Sequence, residues 1–289
     1  MMEKIYILLP VHNRREITQR FIKCLNSQTY QNFHLILIDD GSTDRTEEMV
    51  KRYIKSITVL KGKGDWWWTG SLQQGYKWIR SQHLSPADLV LIINDDTEFE
   101  VEFLETAASI LSGRHNTLLL AQCFSRETGE LIDAGIHVDW QRLNFSKPSN
   151  PDDINCLSTR GLFLRVGDLL RLRGFHSILL PHYASDYEFT MRACRNGLKL
   201  MTDSSLKLWL DENETGYHQF DEESFIVFLK KYFSKKSAAN PIIWTNFIAL
   251  SCPWPWKFLN WFRIWRNSAY TLLRAIILMT NRNEIFKRP

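Results

Sequence analysis

The chain has 289 residues, of which 44% are hydrophobic and 24% charged, so it can bury a sizeable core and is too apolar to remain disordered. A formal net charge of +4 is too small to imply a nucleic-acid or acidic partner unless the basic residues are clustered. The cysteines, Cys24, Cys123, Cys156, Cys194 and Cys252, are odd in number and never form a CxxC pair, which argues against a zinc site and a disulfide framework and fits a reducing compartment.

Taken in chain order, short apolar runs predict strands at residues 5–9, 34–38, 57–60, 89–93, 118–122 and 162–166. The first apolar stretch runs straight into Asn13-Arg14-Arg15 with no small-residue cleavage site, so it reads as a strand and not as a leader. Helical spacing recurs between the strands, in Ile17, Phe21, Cys24 and Leu25, in Val50, Tyr53 and Ile54, and in Leu72, Tyr76 and Ile79. Asp44 followed by Glu47 predicts a capping box opening the second helix. This alternation is the pattern of βαβ units and a mainly parallel sheet. Residues 126–151 are polar and contain Gly and Pro, as expected of loops or irregular strands beside a binding site. A helix is predicted over 186–196, stopped by Gly197. From about residue 216 the composition shifts to aromatics and bases, dividing the chain into residues 1–215 and a C-terminal helical module, 216–289. No uncharged apolar run reaches the roughly 20 residues of a membrane-spanning helix; the longest, 241–256, is interrupted by prolines.

Two of the apolar strands end in acidic clusters. Ile36-Leu37-Ile38-Asp39-Asp40-Gly41-Ser42 sets two carboxylates where ligands of open α/β sheets bind, although the same residues would make a plain turn. Leu91-Ile92-Ile93-Asn94-Asp95-Asp96-Thr97 repeats the arrangement with oxygen donors suited to Mg²⁺ or Mn²⁺, ions that leave coordination positions open for substrate phosphates. A diphosphate leaving group needs its departing charge neutralised, which such an ion does without proton transfer. Dinucleotide and P-loop readings fail: the first strand runs into Pro10-Val11-His12-Asn13-Arg14 without glycine, Gly62 and Gly64 form a lone GxG, and no GxxxxGK[ST] is present.

In this ordered series the chain resembles the inverting family 2 glycosyltransferases, in particular rhamnosyltransferase-like members. The resemblance covers roughly residues 3–218 and implies the GT-A fold, an α/β architecture with a Rossmann-like, mainly parallel mixed sheet flanked by helices. Pro10, His12 and Asn13 resemble the family's Pro-x-x-Asn turn. Leu37-Ile38-Asp39-Asp40-Gly41-Ser42-Thr43-Asp44 is similar to its second motif, which implies that Asp39 accepts a hydrogen bond from the imide N–H of a uracil or thymine ring. Asn94-Asp95-Asp96 resembles the DxD metal motif with Asn in place of the first acid, leaving Asp96 as the metal ligand and Asn94 and Asp95 beside the donor. Tyr183-Ala184-Ser185-Asp186-Tyr187-Glu188-Phe189-Thr190-Met191-Arg192 is similar to the family's Glu-Asp-x-Asp-Leu-x-x-Arg segment, with Ser185 in place of the Glu; Asp186 falls on the general base that an inverting displacement requires. Taken alone, Asp186 would read as a helix cap.

The run Gly64-Asp65-Trp66-Trp67-Trp68-Thr69-Gly70-Ser71 occupies the donor-loop interval. Three consecutive tryptophans cannot share one side of a regular element, so one is expected to line the cleft, with Trp68 and Asp65 assigned to the donor and core packing for the others. Gly161 sits where the family has a small residue beside donor and acceptor, and His218 where many GT-A enzymes have a late metal ligand; a lone Gly before a strand or a lone His is equally an ordinary structural residue.

Residues 257–289 hold Lys257, Arg263, Arg266, Arg274, Arg282, Lys287 and Arg288 against Glu284, interleaved with Trp, Phe and Leu. This favours peripheral membrane contact over simple packing on the core, and both over nucleic acid, for which no motif is present. The implied function is transfer of a sugar from a UDP- or dTDP-sugar to a glycan or lipid-linked acceptor in bacterial surface polysaccharide synthesis, at the cytoplasmic face of the plasma membrane. The rivals are an inactive carbohydrate-binding member of the fold, which the residues Asn94 and Ser185 keep open, and a sugar-nucleotide nucleotidyltransferase, whose Gly-rich basic signature is missing.

Overall fold

The first strand, β1 (Ile5–Val11), is apolar on both faces, and its alternate residues serve different layers. Ile5, Ile7 and Leu9 join one buried cluster, Tyr6 and Leu8 another, so the strand must lie inside a sheet covered on both sides. In the computed structural model, which describes residues 3–211 and 224–285 with side chains up to residue 278, that is the arrangement.

The chain continues through α1 (Arg15–Asn26), β2 (Phe33–Asp39), α2 (Thr46–Tyr53), β3 (Ile57–Lys61), α3 (Trp67–Ser81), β4 (Leu89–Ile92), β5 (Thr97–Glu98), α4 (Phe103–Leu111), β6 (Thr117–Ser125), β7 (Leu131–Asp133), β8 (His137–Asp139), β9 (Asn144–Ser146), β10 (Leu162–Arg165), α5 (Val166–Leu172), α6 (Ser185–Arg195), β11 (Lys199–Leu210), α7 (Phe225–Tyr232), α8 (Pro241–Ser251) and α9 (Trp254–Ile285). The main sheet runs β3-β2-β1-β4-β10-β6-β11-β5, with β7 on β6. Strands β3, β2, β1 and β4 are parallel, β10 is antiparallel to both β4 and β6, and β11 is parallel to β6. Helices α1, α2 and α4 cover one face through Phe21, Val50 and Leu104, while α3, α5 and α6 cover the other through Leu72, Leu169 and Phe189.

Several boundaries depart from the sequence expectation. Val166 opens α5 instead of closing the preceding strand. The capping box does not form: Arg45 is the residue before α2, Asp44 bonds Thr46 N (3.1 Å) and the neighbouring Arg15 N (2.9 Å), and Glu47 is taken by Lys51 and Lys61. Within 126–151 lie the short strand β7 and the β8–β9 hairpin. The helix expected over 186–196 spans Ser185–Arg195, with Gly197 following at φ +79.

The boundary expected at 215/216 falls outside the described residues. Beyond it, Ile243 and Phe247 of α8 enter a third buried cluster with Val138, Ala184 and Met191, so α8 is packed against α6 and the β8–β9 hairpin. Asn240 starts α8 by accepting from Ile242 N at 2.9 Å, and Pro241 takes the first helical position.

Candidate active site

The carboxyl ends of β1, β2 and β4 share one edge of the sheet. After β1 the chain winds outward through β2 and β3, then returns to place β4 on the other side of β1; ligands of open α/β sheets bind at such a reversal. Because β10 runs the opposite way, its start, just after Arg160-Gly161, comes back to the same edge. Gly161 N donates to Ile92 O (3.0 Å) and Ala121 N to Gly161 O (3.0 Å), tying this turn to the ends of β4 and β6.

At the end of β2 the two adjacent carboxylates have different surroundings. Asp40 is saturated: Gly64 N donates to Oδ1 at 2.8 Å, and Trp66 N and Trp67 N donate to Oδ2 at 2.9 and 3.1 Å. It therefore anchors the 62–67 loop. A Cβ on Gly62 would lie 2.3 Å from Asp40 Oδ1, so only glycine lets the loop approach this closely. Asp39 uses Oδ1 to accept from Ser42 N at 2.8 Å, and Oδ2 makes no hydrogen bond among the described residues. The turn after β1 lies alongside: His12 Nδ1 meets Asp40 O at 2.7 Å, and Asn13, at φ +52, accepts from Thr43 N at 2.7 Å. Pro10 remains in the ladder opposite Ile38.

At the end of β4, Asn94 is half-buried while Asp95 and Asp96 are buried. Arg14, from the turn after β1, bridges both acids, with Nε 3.2 Å from Asp95 Oδ1 and a terminal nitrogen 3.2 Å from Asp96 Oδ2. Thr18 Oγ1 donates to Asp95 Oδ2 at 2.7 Å. Burial still outweighs these partners and pushes the Asp95 carboxyl up to about 6. Asp96 Oδ1 is buried and has no hydrogen-bond partner, an orphan of the kind that carries a desolvation penalty unless a ligand meets it. Arg14 escaped the sequence reading; its position next to the Pro-x-x-Asn turn was the available signal.

Asp186 sits in the first turn of α6, half-buried, and accepts from Tyr187 N at 2.9 Å. Thr190, one turn on, exchanges hydrogen bonds with the backbone of Leu157 at 2.9 and 3.0 Å and so fastens α6 to the segment leading into β10. Glu188 and Arg192 form a two-point ion pair at 2.8 and 3.0 Å, and Arg192 also reaches Gly174 O at 2.8 Å, fixing the helix from its other side. Burial pushes the Asp186 carboxyl up to about 6; the bond from Tyr187 N opposes this, the charge on Asp133 adds to it, and Arg160 lowers it. Asp133 lies opposite Cys123 in the β6–β7 pairing, and Asp96, Asp133 and Arg160 all act on the Cys123 thiol. The Asp186 carboxyl and the Cys123 thiol thus feel two charges in common, those of Asp133 and Arg160. Arg160 Nε is buried without a hydrogen-bond partner, and neither Arg160, Asp133 nor Asp186 forms an ion pair among the described residues. The sequence reading missed Asp133 and Arg160, whose partners are distant in the chain.

Of the three tryptophans, Trp66 and Trp68 pack against the core cluster beneath α3. Trp67, at φ +58, is the ring that turns outward: it meets His182 edge-on at 6.5 Å, and the Lys236 ammonium lies 4.6 Å from its centre. Asp65 is exposed. Gly161 has φ +81, and a Cβ there would lie 2.5 Å from Leu208, so its backbone shape and packing already require glycine. His218 lies outside the described residues.

The model of the family described as "Glycosyl transferase family 2" matches residues 6–159, more than half of the chain. The chain belongs to glycosyl transferase family 2. An uncharacterized glycosyltransferase of Haemophilus influenzae is 48% identical over 61 residues, covering 21% of this chain and 24% of that protein. Glycosyltransferase GlyG of Streptococcus pneumoniae is 35% identical over 54 residues, 19% of this chain and 18% of that protein, so the matched stretch spans about a quarter of the relatives' length or less. Among solved structures, S. aureus TarS 1-349 in complex with UDP-GlcNAc superposes with a TM-score of 0.60 at 16% identity, covering 90% of this chain and 79% of that one. The mannosyltransferase PcManGT of Pyrobaculum calidifontis, in complex with GDP-Man and Mn²⁺, gives 0.58 at 16% identity, covering 100% and 82%. At such identities the likeness is one of fold, and this family 2 chain has the GT-A fold.

Among the described residues no group of three or more His, Cys, Asp or Glu side chains is arranged to hold a metal ion. The donor chemistry still fits a hard cation that takes most of its ligands from a diphosphate and water. Asp96 Oδ1 is a buried carboxylate oxygen without a partner, at the sheet edge where phosphates would lie.

Proposed function

We propose that this family 2 protein is an inverting glycosyltransferase that moves a sugar from a UDP- or dTDP-sugar to a glycan or lipid-linked acceptor. The setting we propose is bacterial surface polysaccharide synthesis at the inner face of the plasma membrane, with the C-terminal module in peripheral contact with the bilayer. The observation that carries the reading is that the unpartnered oxygens of Asp39 and Asp96 follow β2 and β4 at one edge of the sheet, while Asp186 is half-buried in the first turn of α6 and in no ion pair among the described residues.

In this reading the free oxygen of Asp39 accepts the imide N–H of the base, and Pro10, His12 and Asn13 shape the wall beside it. Asp65 contributes to the donor loop, whose outward ring is Trp67 and not Trp68. Asp96 would hold Mn²⁺ or Mg²⁺ with Asn94 alongside, Asp95 fixes Arg14, and such an ion would supply positive charge to offset that of a departing diphosphate. Asp186 takes the proton of the acceptor hydroxyl while that oxygen bonds to the anomeric carbon. The bond to the diphosphate oxygen breaks with its electron pair leaving on the nucleotide, a single displacement that inverts the centre. A carboxyl poised near 6 is ionised, hence competent as a base, at neutral pH.

Thermal-shift measurements with UDP, dTDP, GDP and ADP, each with and without Mn²⁺, test the donor half. UDP or dTDP with Mn²⁺ should raise the melting temperature most, and Asp39→Ala should remove the preference. A larger shift with purine diphosphates would refute the base assignment.

A further inference from the structure

Helix α9 is apolar on the side turned away from the protein as well as on the side that packs against it. On its protein-facing side Trp261, Ile264 and Leu272 are half-buried and two polar residues are tied down: Asn260 donates to Trp140 O at 2.8 Å, and Ser268 Oγ accepts from Tyr232 Oη at 3.0 Å. Its outer side carries Trp254, Phe258, Phe262, Trp265, Ala269, Leu273 and Ile276, spaced four, four, three, four, four and three residues apart, which is one continuous stripe on an α-helix. Trp254 is 70% exposed, Phe258 62%, Phe262 64% and Leu273 58%. A water-facing helix normally has a polar outer side, and contiguous exposed apolar surface on this scale marks a contact site.

The charge pattern selects the occupant. Residues 225–283 contain nine Lys or Arg and no Asp or Glu. Arg266 and Arg274 flank the stripe, are exposed and form no ion pair among the described residues. A second copy of the chain laid against the stripe would bring like charges together, whereas an anionic lipid surface is complementary to them. Among the described residues no helix is long and apolar enough to cross a membrane, so the helix would lie flat, roughly 48 Å long at 1.5 Å per residue.

We propose that the Trp254-to-Ile276 stripe of α9 is a docking surface for a bilayer rich in anionic lipid, with its aromatic rings at headgroup depth and its arginines on lipid phosphates. This gives a face and a lipid class to the membrane contact put forward above, on which it rests. The surface is rigidly joined to the candidate active site. Helix α8 packs against both α9 and α6, Arg195 donates to Ser251 O at 2.9 Å, and Asn246 to Leu179 O at 3.0 Å. Docking would hold the Asp186 end of the cleft at a fixed attitude to the membrane, as an acceptor carried on a lipid requires.

Flotation of the full chain with phosphatidylcholine vesicles, with and without phosphatidylglycerol, tests the proposal. The wild type should float with the phosphatidylglycerol vesicles, more weakly with phosphatidylcholine alone, and less as salt is raised. A Phe258→Ser, Phe262→Ser double variant should bind at least tenfold more weakly while its melting temperature and UDP-induced shift stay unchanged. No flotation of the wild type, or equal flotation of the variant, overturns the proposal. Sedimentation of the wild type as a dimer that the double variant converts to monomer would likewise overturn it, in favour of a second copy. None of these readouts involves sugar transfer, so loss of the docking surface leaves the enzymatic proposal standing, and the converse also holds.

Discussion

Asp186 combines two properties that oppose each other. Its burial suits the base role proposed for it and opposes folding: a carboxyl whose folded pKa, about 6, lies above its unfolded value destabilises the fold progressively as the pH rises from the unfolded value to the folded one, and in full above it. Asp186→Asn should therefore lower turnover by about 10²- to 10⁴-fold and raise stability at pH 8 by roughly 1–3 kcal/mol. The gain should fade as the pH falls from 6 towards 4, where the wild-type carboxyl is protonated in both states; urea melts across that range are the check. The two charges nearby work in opposite directions. Removing the positive charge with Arg160→Gln should move the acid limb of kcat/KM to higher pH, and removing the negative charge with Asp133→Asn should move it to lower pH, each by roughly half a unit. An acid limb left in place by both variants would show that neither residue acts through Asp186.

At the scale of elements, two close approaches hold the candidate site: the 62–67 loop on Asp40, and the 157–161 segment between β4, β6 and α6. Gly161→Ala tests the second, because it adds a methyl 2.5 Å from Leu208 and keeps φ +81. It should cost roughly 2–4 kcal/mol in a urea melt. These approaches explain what the sequence could reveal. The strands β1, β2 and β4 announce themselves as unbroken apolar runs, because a strand covered on both faces has no polar side to interrupt it. Strand β11 does not: Lys199, Ser204, Ser205 and Lys207 are exposed along it, and its register shifts between Asp203 and Lys207, so it carries no single period. Helix α4 went unread for a different reason. Its Phe103, Leu104, Ala107 and Leu111 have the right spacing but lie in a stretch short of flanking signals, with no side-chain cap.

For the molecule as a whole, the motif carboxylates Asp39, Asp96 and Asp186 were legible because each follows a local pattern of strand or helix end. Arg14, Asp133 and Arg160 were not, because their significance lies in partners up to 82 residues away that only the assembled sheet brings together. The C-terminal helices pack on the rest of the chain instead of hanging from it, since Lys236 reaches Trp67 and Phe247 reaches the cluster around Met191. Nucleoside diphosphate released from UDP- and dTDP-sugars, followed with Mn²⁺ for the wild type and Asp186→Asn, probes that assembly most directly. The wild type should turn over one of these donors, and the variant should lose at least about 100-fold in rate while binding the same donor with affinity unchanged within a few-fold. Equal turnover by the two proteins, or a wild type that binds donors and never releases the diphosphate, would contradict the assignment of Asp186 as the base of a working transferase.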